Sequence, residues 1–262
     1  MRLSEIVRNN VKEKLARDEV VSSMTVRLVR GIEIVRIART AGFDSLYVDL
    51  EHSSLSLDDT GQICMAALAM GIAPLVRVPA NTPAYICRVL DGGALGVIAP
   101  DVRSPQQARA VVAAAKYAPL GHRGASGGLP HLDYRSFGAG EANAAMNAAS
   151  MVVIQFESGE AIDRAEEIAA VDGVDLITND FLADLGIPGQ FEHPSVHDAY
   201  ARTLAACRRH GKHVGVGGLP SRPELIAKFV KMGARYVSTG TDLAFLLAEA
   251  SARARQVHDL ER

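Results

Sequence analysis

The sequence predicts a closed (β/α)8 TIM barrel, and three observations carry that expectation. Eight short apolar runs alternate with helical patterns along almost all of the 262 residues, close to the ~250 that one such barrel needs. The runs are short and apolar rather than strictly alternating, as suits parallel strands covered on the outside. Several of them begin apolar and finish charged at the same end, and in a parallel barrel those ends converge on the face that holds the chemistry.

In chain order, residues 1–17 read as a polar amphipathic helix that either caps the barrel bottom or packs on a partner. Strands are expected at residues 20–28, 45–51, 73–78, 95–99, 151–157, 175–179, 213–217 and 236–240. The helices between them carry readable starts. Ser56-Leu57-Asp58-Asp59 supplies a cap and early acids, and Thr82-Pro83 and Ser104-Pro105 place a hydroxyl before a first-turn proline. Ser221-Arg222-Pro223-Glu224 is similar. Helix ends fall near Gly42, Gly71, Gly93, Gly211 and Gly233, where a left-handed residue suits glycine. Strand–helix alternation implies right-handed crossovers, and eight units favour closure over an open sheet. Residues 119–137 form an unusually long loop. No linker divides the chain, so residues 1–262 are expected to be a single barrel domain.

Lysine plus arginine number 28 against 30 acids, so nucleic acid is not an expected partner. No run approaches the ~18 apolar residues of a membrane span. Charges at Arg2, Glu5, Arg8, Lys12, Glu13 and Lys14 do not fit a secretory signal. Cys64, Cys87 and Cys207 are scattered and odd in number, which reads as free thiols in a reducing, cytoplasmic setting. Tryptophan is absent, which disfavours aromatic stacking platforms.

The strand ends supply the candidate site. Glu157 and Asp180 end neighbouring strands, and two facing carboxylates suit a hard divalent ion such as Mg2+ or Mn2+. The alternative is that each caps the helix that follows. Asp49, Glu51 and His52 bunch after the second strand, where a carboxylate beside an imidazole makes a proton-transfer group; a surface histidine is the alternative. Arg77 ends the third strand and offers donors to a carboxylate or a developing oxyanion, with an ion pair to Asp49 or Glu51 equally open. His122 and His131, in the long loop, rank second. His193, His197, His210, His213 and His258 read as structural. Backbone N–H groups at Asn179 and Asp180 are placed to cradle an anion. Gly217-Gly218 and Gly240-Thr241 keep a phosphosugar enzyme open.

Several ordered motifs resemble the HpcH/HpaI class II aldolases. They are Val48-Asp49-Leu50-Glu51-His52, Val76-Arg77, the stretch from Pro100 to Gly124 ending Gly121-His122-Arg123-Gly124, Gln155-Phe156-Glu157-Ser158, and Asp180 with Leu185-Gly186-Ile187-Pro188-Gly189. The resemblance implies a barrel that cleaves a 4-hydroxy-2-oxo acid, reversibly, to pyruvate and an aldehyde, as a lyase of the kind used in aromatic catabolism. It implies Glu157 and Asp180 as ligands of Mg2+ or Mn2+, with Co2+ as a substitute, and His52 with Asp49 as an acid/base dyad. Arg77 would contact the pyruvate keto oxygen, while Gln155, Asn179 and Asp180 would join it in holding substrate. Asp91 would approach a neighbouring subunit's site in a hexamer, a trimer of dimers whose last helix is exchanged between paired barrels. No Schiff-base lysine is needed. Ile177-Thr178-Asn179 replaces the family's usual Gly-Pro-Ala before the second ligand, which bears on substrate choice. A CoA-ester lyase of the same superfamily and an inactive 2-oxo-acid-binding barrel are the alternatives.

Overall fold

The computed structural model describes residues 3–179, 184, 186–219 and 222–261. Eight parallel strands close in sequence order: β1 (Val21–Val26), β2 (Ser45–Asp49), β3 (Ala73–Arg77), β4 (Gly96–Ala99), β5 (Met151–Phe156), β6 (Leu176–Asn179), β7 (His213–Val216) and β8 (Tyr236–Thr241). All eight fall on the expected runs. In chain order the helices are α1 (Leu3–Ile6), α2 (Asn10–Ala16), α3 (Glu33–Ala41), α4 (Leu57–Met70), α5 (Pro83–Asp91), α6 (Pro105–Ala115), α7 (Ala139–Ala149), α8 (Gly159–Asp163), α9 (Ala165–Ala169), α10 (Pro194–Arg209), α11 (Pro223–Met232) and α12 (Asp242–His258).

Most of the strands read as apolar rather than alternating because each face is covered. Leu46, Val48, Val76, Val97, Val152, Ile154 and Ile177 pack outward against helix residues such as Ile63, Ile86, Val111 and Phe229. Tyr47, Leu75, Ile98, Val153, Leu176 and Tyr236 fill the interior. The interior also carries matched polar pairs. The Tyr236 hydroxyl donates to Ser23 at 2.8 Å, and Thr25 and Ser238 share a hydrogen bond of 2.9 Å.

The helix starts form as the residues dictate. Ser56 and Asp59 make a reciprocal capping box on α4, and the Ser104 hydroxyl accepts from Gln107 N. Gly42 and Gly71 take the left-handed cap conformation at φ 89° and 68°. Thr82 precedes Pro83 as expected, but its side chain makes no cap hydrogen bond.

The N-terminal segment is two short helices rather than one. Asn9 breaks it. Its Oδ1 accepts from Val11 N and Lys12 N, capping α2, while its Nδ2 donates to Ala149 O at 2.8 Å. Leu3, Val7, Val11 and Leu15 then sit in the interior cluster, each stabilising by ~1.5–3 kcal/mol relative to exposure. The segment therefore closes the end of the barrel opposite the strand C-termini. The three cysteines are free thiols.

The long loop lies at this closed end too. His131 is buried and its Nε2 pairs with Ala94 O at 2.9 Å. This removes it from the strand-end site of its own chain. Burial pushes the imidazole down to about 4, against the opposing pull of the Ala94 hydrogen bond. Between pH ~6.5 and ~4 the unfolded chain takes up a proton here that the folded chain does not. Stability should therefore fall with pH in that window by roughly 1.4 kcal/mol per unit from this group. Urea titrations of the wild type and His131→Gln at pH 7 and 5 check it; equal pH slopes for the two proteins would refute it.

Candidate active site

The centre of the site is a row across three adjacent strand ends. Register pairs Val26 with Val48, and Asp49 with Arg77, so Arg27, Asp49 and Arg77 lie side by side. The Asp49 carboxylate is fully buried. Arg77 grips it with Nε to Oδ1 at 2.8 Å and Nη2 to Oδ2 at 2.6 Å. Arg27 adds Nε to Oδ2 at 2.6 Å, and the Glu51 and His52 backbone N–H groups complete Oδ1 at 3.1 and 3.3 Å. Burial alone would push this carboxyl up. The hydrogen bond and charge of Arg77, with the charge of Arg27, outweigh it and hold Asp49 below the usual carboxylate range.

Arg77 is itself buried, and its Nη1 lies 2.8 Å from Glu51 Oε2. That contact is an ion pair without hydrogen-bond alignment, since Glu51 Oε2 has no hydrogen-bond partner among the described residues. The guanidinium also stands 5.5 Å from the centre of the Tyr47 ring. The Tyr47 hydroxyl donates to Gln155 Oε1 at 3.2 Å. A continuous polar chain thus runs across the barrel from Arg77 to β5.

His52 does not join Asp49 as expected. The aspartate is saturated by two arginines and holds only the His52 backbone N–H. The imidazole is 61% exposed and faces Glu51, with Nε2 to Oε2 at 3.6 Å. The carboxylate beside the histidine is therefore its immediate neighbour.

Glu157 directly follows β5, two residues beyond the interior Gln155, and is half-buried. Ser158 caps α8 by accepting from Ala161 N. The alternative role of Glu157 as that cap is thus taken by its neighbour. Asn179 ends β6, and its side chain lies outside the described residues, as does the whole of Asp180. Among the described residues no group of three or more His, Cys, Asp or Glu could hold a metal ion. The two-carboxylate set expected from the sequence is represented here by Glu157 alone, an oxygen donor on the polar strand-end face that suits a hard cation.

Asp91 is at the other end of the barrel from Arg77. It closes α5 and pairs with the buried Arg123 at 2.6 Å. It is not part of its own chain's strand-end cluster. A cavity of about 670 Å³ opens at that same end, lined by Ile6, Val7, Leu68, Ile72 and His131 among others. Of its charged residues, Arg8 and Glu13 pair with each other at 2.7 Å and Asp133 lies 4.0 Å from Arg135, so it lacks the convergent acid–base chemistry of the strand-end face.

Arg27 and Tyr47 escaped the sequence reading. The signal for Tyr47 was its place two residues before Asp49 on one strand, which gives both the same inward face. The Gly240 position is explained by packing. A Cβ there would come within 2.8 Å of the Phe245 ring, at a φ of 156°.

Residues 30–248 match the family described as HpcH/HpaI aldolase/citrate lyase. The chain is 40% identical over 222 residues to a 4-hydroxy-4-methyl-2-oxoglutarate aldolase of Chaetomium globosum, covering 83% of this chain and 82% of that one. It is 33% identical to a 2-dehydro-3,6-dideoxy-6-sulfogluconate aldolase of Pseudomonas putida, covering 80% and 82%. A crystal structure of an HpcH/HpaI aldolase from Desulfitobacterium hafniense superposes with a TM-score of 0.87 at 30% identity, over 94% of this chain and 95% of the other.

Proposed function

The chain belongs to the HpcH/HpaI aldolase/citrate lyase family, and from that premise we propose that its strand-end cluster performs reversible aldol cleavage of a 4-hydroxy-2-oxo acid. It is a carbon–carbon lyase that releases pyruvate and a carbonyl acceptor. The observation that carries the reading is the setting of Arg77. Its Nε, Nη1 and Nη2 each direct one contact to Asp49 or Glu51, which leaves a second N–H on each Nη for a substrate oxygen. A buried, pre-positioned guanidinium of this kind stabilises negative charge as it develops on a keto oxygen.

Glu157 and Asp180 would hold a divalent cation, with Mg2+ or Mn2+ fitting oxygen donors and Co2+ a substitute. When bound, such an ion supplies Lewis-acid polarisation of the 2-oxo acid. The remaining work falls to this chain's residues. Arg77 donates to the keto oxygen, Gln155 is oriented by Tyr47 on the interior wall, and Asn179 at the end of β6 would join them in holding substrate. His52, beside Glu51 at the mouth, takes the proton from the C4 hydroxyl. As the C3–C4 bond breaks, its electron pair passes towards the keto oxygen facing Arg77, and the carbonyl acceptor leaves. Reprotonation of the former C3 gives the methyl group of pyruvate.

The apolar side of α12 supports assembly. Leu243, Leu246, Leu247 and Val257 are at least half exposed in a single chain, which a second copy would cover. We read this as the exchanged helix of a hexamer, in which Asp91 reaches a neighbour's site. A solution mass of one chain would remove that part of the reading.

Pyruvate in deuterated buffer tests the function. The enzyme with Mg2+ or Mn2+ should exchange the methyl protons, EDTA should stop the exchange, and borohydride with pyruvate should not label the protein. Labelling at a lysine, or no exchange with either metal, would overturn it.

A further inference from the structure

We propose that Arg27 is the specificity residue for the acceptor half of the substrate, and that it selects an acceptor carbonyl bearing a carboxylate. This rests on the aldol reading above. The acceptor class itself comes from the geometry of β1.

Arg27 touches Asp49 through Nε alone. Its Nη1 and Nη2 make no hydrogen bond among the described residues. An arginine placed merely to neutralise a carboxylate usually offers its two-pronged edge. Here that role is already taken by Arg77, which binds both oxygens of the same aspartate. The second guanidinium is turned side-on, and its outer fork remains open. Its side chain is 36% exposed, against 4% for Arg77. Arg77 is thus the inner cation of the row and Arg27 the outer one. An acceptor that enters from solvent passes the outer cation.

Arg27 is also fixed at both ends. The Asp242 carboxylate accepts from the backbone N–H groups of Arg27, Leu28 and Val29 at 3.0, 3.0 and 2.8 Å. Asp49, which is fully buried, fixes the side chain. A guanidinium held this way loses little rotamer freedom on meeting a ligand, so its affinity for a planar carboxylate is not spent on ordering. Across the row, Arg30 is tied to Ser54 at 3.0 Å rather than to an acid. Arg27, Arg30 and Arg77 balance Asp49, Glu51 and Asp242 on this part of the rim, so it is the open fork of Arg27, not a net charge, that meets an anion.

The test measures aldol addition of pyruvate to two acceptors, glyoxylate and acetaldehyde, with Mn2+ present. The readout is the ratio of kcat/KM for the anionic over the neutral acceptor. In Arg27→Met this ratio should fall by about 100-fold, as for a partly exposed site built to bind a polar group. Arg27→Lys should recover most of it, since the charge remains. A ratio that stays within threefold of the wild type, with both acceptors falling together, would show that Arg27 acts only by positioning Asp49, and would overturn the proposal. Wild-type exchange of the pyruvate methyl protons, run in parallel, separates the two readings. If exchange is absent, the aldolase itself is refuted; if exchange is present and the ratio is unmoved, only the role of Arg27 is.

Discussion

Arg77→Met should lower pyruvate proton exchange by about 1,000-fold, the loss expected when a pre-positioned donor to a developing oxyanion is removed. The same change strips the fully buried Asp49 of its two-pronged partner. Breaking a buried pair typically costs ~3–5 kcal/mol. Arg27 and two backbone N–H groups stay on Asp49, so about 2–3 kcal/mol is the expected loss of stability here. The aspartate, no longer held below the usual range by Arg77, should also protonate at higher pH. Its stabilising contribution is present above the ordinary carboxylate value and vanishes as pH falls through the folded-state value, so the variant should lose stability earlier on the acid side. Arg77→Lys retains a charge but not the fork, and should recover stability more than exchange. Thermal unfolding alongside deuterium incorporation makes the comparison. A folded Arg77→Met protein exchanging within tenfold of wild type would show that the keto oxygen finds its donor elsewhere.

The barrel was legible in the sequence because each parallel strand is covered on both faces, so strands such as β4 and β5 appear as apolar runs of four to six residues. Capping residues such as Ser56 and Ser104 mark where the next helix begins. What stayed hidden is contact that spacing does not encode. Both Asp49 and Glu51 lie within three residues of His52, and only the saturation of Asp49 by Arg77 and Arg27 decides that the imidazole faces Glu51. Tyr47 meets Gln155 across 108 positions. Arg27 is 22 positions from Asp49, and it becomes a neighbour only once β1 and β2 are paired in register. Asn9 split the first helix because its amide found Ala149 O far along the chain while its oxygen capped α2. The helix that follows Arg77 carries Asp91 to the opposite end of the barrel from it.

Glu157→Gln should abolish exchange, with a loss of at least about 1,000-fold, and weaken Mn2+ binding by at least about 100-fold, because a hard cation binds a carboxylate far more strongly than an amide. The change keeps the size and shape of a half-buried side chain, and Ser158 still caps α8. Thermal unfolding without metal measures any cost of the change to the fold separately. That separation matters, since loss of activity with loss of fold would say nothing about metal. Calorimetric titration with Mn2+ alone needs no turnover and isolates the binding step. If the glutamine variant bound Mn2+ within threefold of the wild type, Glu157 would be no ligand. The ion would then need another seat, and the strand-end carboxylates would be left with orienting Arg77 and His52 as their whole contribution.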